Sequence, residues 1–100
     1  MKNKLIQIIA NVIALLGDCE LFDQADWFRE KMNAIEKTDG SISELQPLAK
    51  EIRNIIAGMG SFSDLSLEPS KESGMSDDDA NKEKWELADK LDHITGEILK

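Results

Sequence analysis

The chain predicts an all-α fold, a single-domain bundle of about four helices with an irregular connection before the last one. Three observations carry that expectation. Apolar residues recur at three- and four-residue spacing in four separate stretches. No stretch alternates long enough to make a sheet. The punctuation falls between the stretches: glycines, serines ahead of acids, and a proline. The chain has 100 residues, one domain by length, spanning 1–100. With 41% apolar and 32% charged residues it reads as globular rather than disordered.

The first helix is expected over about 3–16. Leu5, Ile8, Ile9, Val12, Ile13, Leu15 and Leu16 give it a broad apolar face, widened by Ile6. Gly17 is the expected stop. The second helix is expected over about 24–37, with Asp23 as N-cap and Asp26 in the first turn, where a carboxylate is favoured. Ala25, Phe28, Met32 and Ile35 face the core and Trp27 lies beside that stripe. Thr38, Asp39 and Gly40 close the helix as a turn.

The third helix is expected over about 42–57. Ser41 and Glu44 form a capping box, and Pro47 falls near the first turn. Leu45, Leu48, Ala49, Ile52, Ile55 and Ile56 make its apolar face, and Gly58 is the expected stop. Residues 58–78 are the irregular connection. Leu65 and Leu67 are placed to dip into the core, and Glu68 precedes Pro69, which disfavours helix. The fourth helix is expected over about 79–99. Asp77, Asp78 and Asp79 stand at its N-terminus. Leu87, Leu91, Ile94 and Ile98 line its apolar stripe, widened by Trp85, Ala88 and Leu99.

Charge narrows the function classes. The formal net charge is −8, with a pI of about 4.5. Two separated regions hold the acidity: residues 18–39 carry seven acids against three bases, and residues 61–80 six against one. Such a surface repels nucleic acid and anionic membrane and attracts basic proteins. The N-terminus imitates a signal peptide, and Leu16-Gly17-Asp18-Cys19 imitates a lipoprotein cleavage box. Asp18 stands where that box needs a small residue, and Gln7 and Asn11 share a polar helical face with Asn3 and Ala14. The expectation is a cytoplasmic protein with no membrane span.

No constellation spells out a reaction, and no catalytic, cofactor or metal residues are assigned. The Asp77-x-Asp79-x-Asn81 spacing resembles the start of a calcium loop, but Lys82 and Ala88 fall where glycine and a bidentate acid belong. A helix cap explains it better. Asp89, His93 and Glu97 share a helical face but lack the ligand set of a structural zinc site. Cys19 is the one cysteine, so it has no intramolecular partner, and Asp18 and Glu20 beside it raise its pKa and blunt it. Gly58-Met59-Gly60-Ser61 follows a helix rather than leading into one, and no lysine joins it, so it is a stop and a turn rather than a phosphate loop.

The acid clusters remain. Asp18, Glu20, Asp23 and Asp26 form one; Asp64, Glu68, Glu72, Asp77, Asp78 and Asp79 form the other. They suit binding a basic protein surface, with Trp27 or Phe22 as apolar anchor. The segment Gly58 to Leu65 (Gly-Met-Gly-Ser-Phe-Ser-Asp-Leu), together with Ala25-Asp26-Trp27-Phe28, resembles a family of small bacterial helical proteins. That family includes immunity proteins of contact-dependent growth inhibition and related polymorphic toxin systems. The match covers roughly residues 5–67. The resemblance implies a non-enzymatic monomer that binds one cognate toxin domain as a 1:1 heterodimer. The resemblance, taken with the acidity, implies a basic nuclease toxin, ribonuclease favoured, its substrate cleft covered by acidic side chains. The alternative is an acidic regulatory adaptor for another basic protein.

Overall fold

A computed structural model describes residues 1–57 and 67–100 of the chain. Among these are four α-helices: α1 (Lys2–Asp18), α2 (Phe22–Glu36), α3 (Ile42–Ala57) and α4 (Asp77–Ile98). A 3-10 turn, Lys71–Ser73, lies before α4. The all-α expectation holds, and no strand occurs among the described residues. The roles given to Gly58, Gly60, Asp64 and Leu65 lie outside the described residues, as does the motif they belong to.

Helices adjacent in the bundle run antiparallel. α1 packs against α2 and α4, and α3 packs against α4 and more lightly against α2. The body measures 42 × 23 × 19 Å, with a radius of gyration of 13.3 Å. That is the compactness expected of one 100-residue globule. The apolar stripes meet along the axis. Leu5, Ile9, Val12 and Leu16 of α1 join Ile35, Leu45, Ile52, Leu91 and Ile98, all with no exposed surface. Leu67 dips into this core as expected, at 1% exposure.

The helix ends differ from the sequence reading in instructive ways. Gly17 does not stop α1; it lies inside the helix. The reversal falls three residues later, where Glu20 adopts a left-handed φ of 59°. The Leu21 N–H bonds the Leu16 carbonyl at 2.9 Å and the Glu20 N–H bonds the Gly17 carbonyl at 3.0 Å. These two bonds are a Schellman motif with glutamate where glycine is favoured. The buried Leu16 and the inward Leu21 explain it: the apolar register must run to residue 16 and then return at 21.

That early return also moves the start of α2. Leu21, not Asp23, is its N-cap and gives no side-chain hydrogen bond, while Asp23 lies in the first turn. At α3 half of the expected capping box forms. Ser41 Oγ accepts the Glu44 N–H at 3.4 Å, while the Glu44 carboxylate reaches the Asp39 N–H at 2.7 Å. Pro47 is the sixth residue of α3, beyond the first turn, so the Ser43 carbonyl loses its helical donor. Pro47 is exposed, which lets water take that carbonyl. α4 begins two residues early, and Ser76 rather than an aspartate is its cap, accepting the Asp79 N–H at 3.1 Å.

Candidate interaction surface

The antiparallel order brings Asp18, Glu20 and Asp23 to the same end of the bundle as Asp77, Asp78 and Asp79. α1 ends there and α2 begins there. The connection returns to the same corner, since the Ser70 N–H donates to the Asp18 carbonyl at 2.9 Å. α4 then starts beside it. The charges of Asp18, Asp77 and Glu83 all act on the Cys19 thiol, so the end of α1 and the start of α4 are neighbours. The thiol is held above its ordinary pKa by burial first, then by those three carboxylates. Glu20, expected to contribute, is not among the causes; its left-handed backbone carries it past Cys19 into the reversal.

Of the residues singled out from sequence, Asp18, Glu20, Asp23, Asp26, Glu68, Asp77, Asp78 and Asp79 are exposed at or near this end, and Glu72 is exposed in the 3-10 turn. Asp26 is engaged by Arg29 at 2.6 Å. The others make no ion pair among the described residues. Asp64 lies outside them. Exposed carboxylates gathered in one region, without an ion-pair partner among the described residues, make a negative potential that steers cations and basic surfaces toward it.

The aromatic residues are distributed differently from the sequence reading. Trp27 is half-buried, edge-on to Phe28 with ring centroids 5.0 Å apart, and Lys31 Nζ sits 5.2 Å from its ring. It is a packed edge of the core. Among the described residues the exposed aromatics are Phe22, at 61%, and Trp85, at 57%. Phe22 opens α2, between Glu20 and Asp23, within the acidic end. Trp85 does not join the α4 stripe; the inward position goes to its neighbour Lys84, buried at 4% with Nζ 4.6 Å from the Trp85 ring. A helix wheel centred on Leu87 and Leu91 places residue 84, not 85, inward, so spacing alone points to the lysine once its charge is set aside.

Sequence reasoning also misses Asn81, whose spacing from Asp77 and Asp79 suggests only a calcium-loop position. Its side-chain oxygen accepts the Leu67 N–H at 3.0 Å, and its amide donates to the Leu67 carbonyl at 3.2 Å and to the Asp77 carbonyl at 2.8 Å. One side chain thereby satisfies both backbone groups of the residue that enters the core.

Two other features bear on chemistry. An open groove of about 480 Å³ runs between α1 and α4, lined in part by Lys4, Gln7, Asn11, Lys90, His93 and Glu97. In it His93 Nδ1 stands 3.7 Å from the Asp89 carboxylate, both side chains about three-quarters exposed. Among the described residues no three metal-binding side chains converge, and no helix is long and apolar enough to cross a membrane. No protein-family model, curated protein or solved structure matches the chain.

Proposed function

We propose that this chain is an immunity protein that binds and neutralises a basic toxin domain, a nuclease of the ribonuclease type, without catalysis of its own. The observation that carries the reading is the convergence of two acid clusters, distant in sequence, on one end of the bundle. A nuclease cleft is basic because it holds phosphates. A rigid body presenting carboxylates of Asp18, Glu20 and Asp23 beside those of Asp77, Asp78 and Asp79 offers that cleft a negative surface in place of its substrate. Phe22, exposed among them, supplies apolar contact. The resemblance carried by Gly58 to Leu65 points to the same class.

The test is co-expression with the toxin domain encoded immediately upstream. Growth should be rescued, and a complex should survive gel filtration at moderate salt with a Kd near ~10⁻⁹ M or tighter. Replacing Asp77, Asp78 and Asp79 by Asn leaves the Ser76 cap in place while removing three charges. Association should slow by about tenfold and lose much of its salt dependence. Neutralising Asp18, Glu20 and Asp23 should act in the same direction, because both sets face one partner. A toxin that still kills, or a complex that forms as fast without either set, sinks the proposal.

A further inference from the structure

One side chain ties the segment before α4 to α4 itself. The Asn81 oxygen accepts the Leu67 N–H at 3.0 Å, and its amide donates to the Leu67 carbonyl at 3.2 Å. The same amide donates to the Asp77 carbonyl, a turn earlier in α4, at 2.8 Å. The clamp needs an acceptor and two donors on a short stem, which asparagine supplies and aspartate and serine do not. The segment is fastened again at Ser70, whose N–H donates to the Asp18 carbonyl at the end of α1. Beyond Ser70 it closes on itself. The Ser73 N–H and hydroxyl both donate to the Ser70 carbonyl, at 3.1 and 2.8 Å, and the Met75 N–H donates to the Ser73 hydroxyl at 3.2 Å. Met75 packs, partly buried, against the core. Residues 67–76 are therefore a strap that joins α4 to the end of α1 and returns to the start of α4.

We infer that Asn81 is a positioning residue for the contact surface: through the strap it fixes the end of α1 relative to the start of α4. The inference rests on the proposed function for its partner, and on the hydrogen bonds alone for its geometry. Asn81 carries no charge and need not touch the partner. It holds Glu68, beside the clamped Leu67, and the carboxylates at the end of α1 in one arrangement with Asp77, Asp78 and Asp79. A partner that meets a preformed surface is spared the cost of ordering it. Where only a fraction of the molecules holds the competent arrangement, the apparent affinity falls by that fraction.

Charge and position make opposite predictions at this residue. Asn81→Asp is nearly isosteric, keeps an oxygen for the Leu67 N–H and adds a carboxylate at the acidic end. Were the surface a matter of charge alone, the variant would draw a basic partner more strongly. An ionised aspartate has no donor, however. Its carboxylate would face the Leu67 and Asp77 carbonyls, oxygen against oxygen, and the clamp would open. Asn81→Ala opens the clamp with no change of charge.

Amide hydrogen exchange of the full chain, read by NMR, tests the coupling with no partner present. In Asn81→Ala the Leu67 and Ser70 amides should lose protection together, by about tenfold or more, while the Ile35 amide of α2 keeps its own. Binding to the toxin domain encoded immediately upstream tests the consequence. Asn81→Ala and Asn81→Asp should both weaken the complex about tenfold, the second in spite of its added charge. A Ser70 amide that stays protected while Leu67 is released overturns the inference. So does an Asn81→Asp complex as tight as that of the wild type, or tighter. A wild type that binds no toxin domain overturns the proposed function alone, and the exchange measurement still decides whether Asn81 couples the two helices.

Discussion

At the end of the bundle where α2 turns into α3, charged and polar side chains are used up by the backbone; at the acidic end they are left to solvent. Lys2 Nζ donates to the Glu36 carbonyl at 3.0 Å and the Thr38 carbonyl at 2.6 Å, closing the end of α2 from the start of α1. The Asp39 carboxylate accepts the Ser41 N–H at 2.8 Å, and Gln46 donates to the Ile98 carbonyl at 3.2 Å. Farther along, Arg53 ties α3 to α4 through the Asp92 carbonyl at 2.8 Å and its carboxylate at 3.1 Å. The acidic end is held instead by burial of Leu67, the Asn81 amide and the Ser76 hydroxyl. Its carboxylates contribute little to that hold. Charge is structural at one end and available for contact at the other.

The largest effect should come from removing what does hold the acidic end. Leu67 is 1% exposed and both its backbone groups are bonded to Asn81. Leu67→Ala should cost about 2–4 kcal/mol of unfolding free energy in urea, the range for a buried leucine. If the cost stays below about 1 kcal/mol, the connection is not anchored through this residue and the acidic regions lose their fixed relation.

A smaller effect is expected at the opposite end. Lys2→Met keeps the aliphatic stem and removes the ammonium. The carbonyls of Glu36 and Thr38 then rely on water, and stability should fall by about 1 kcal/mol. Were the loss absent, the description of that end as tied through charge would be wrong.

The acidic end should respond with the opposite sign. Glu20 holds a φ of 59°, a region that costs residues with a side chain about 1 kcal/mol or more. Glu20→Gly relieves it, less the extra entropy glycine gives the unfolded chain. The net expectation is a gain of about 0.5–1 kcal/mol in chemical denaturation. If the proposed function holds, the same variant should also bind a basic toxin domain more slowly, because a carboxylate has gone. A residue that the fold would do better without, kept within a cluster of exposed acids, is the pattern of stability exchanged for contact.

The residues that can be read from the sequence are those whose spacing alone fixes their place. Leu5, Ile9, Val12 and Leu16, or Leu87, Leu91, Ile94 and Ile98, can face only one way on a 3.6-residue helix. Leu67 is legible because a leucine in a stretch of serines and acids has few other fates. The helix ends are not, because the end of α1 is decided by which of Leu16 and Leu21 reach the core, and glycine only makes a reversal cheaper. Lys84 escapes the sequence reading since charge argues outward while register argues inward, and its long stem lets register win. The acidic surface is half legible: its members are visible as charges, but their meeting depends on the Ser70–Asp18 bond and the order of packing, which local pattern does not encode.

The smallest expected effect is a pH dependence at the tied end. The Asp39 carboxyl is held below its usual pKa, chiefly by the Ser41 hydroxyl, then by the Ser41 backbone N–H and by Glu44. A carboxyl with a lowered folded pKa stabilises the fold above its ordinary value and loses that contribution as pH falls through the lowered one. The window therefore opens below pH ~4 and closes at more acid pH. Asp39 is fully exposed, so solvent keeps the contribution small. Asp39→Asn retains an oxygen that can accept the Ser41 N–H at every pH. Its melting temperature should sit slightly below that of the wild type at neutral pH and converge with it in acid. Parallel curves would mean that the ionised carboxylate adds nothing beyond the hydrogen bond, and that this turn is closed by Thr38 and by Gly40 at its left-handed φ of 85° rather than by charge.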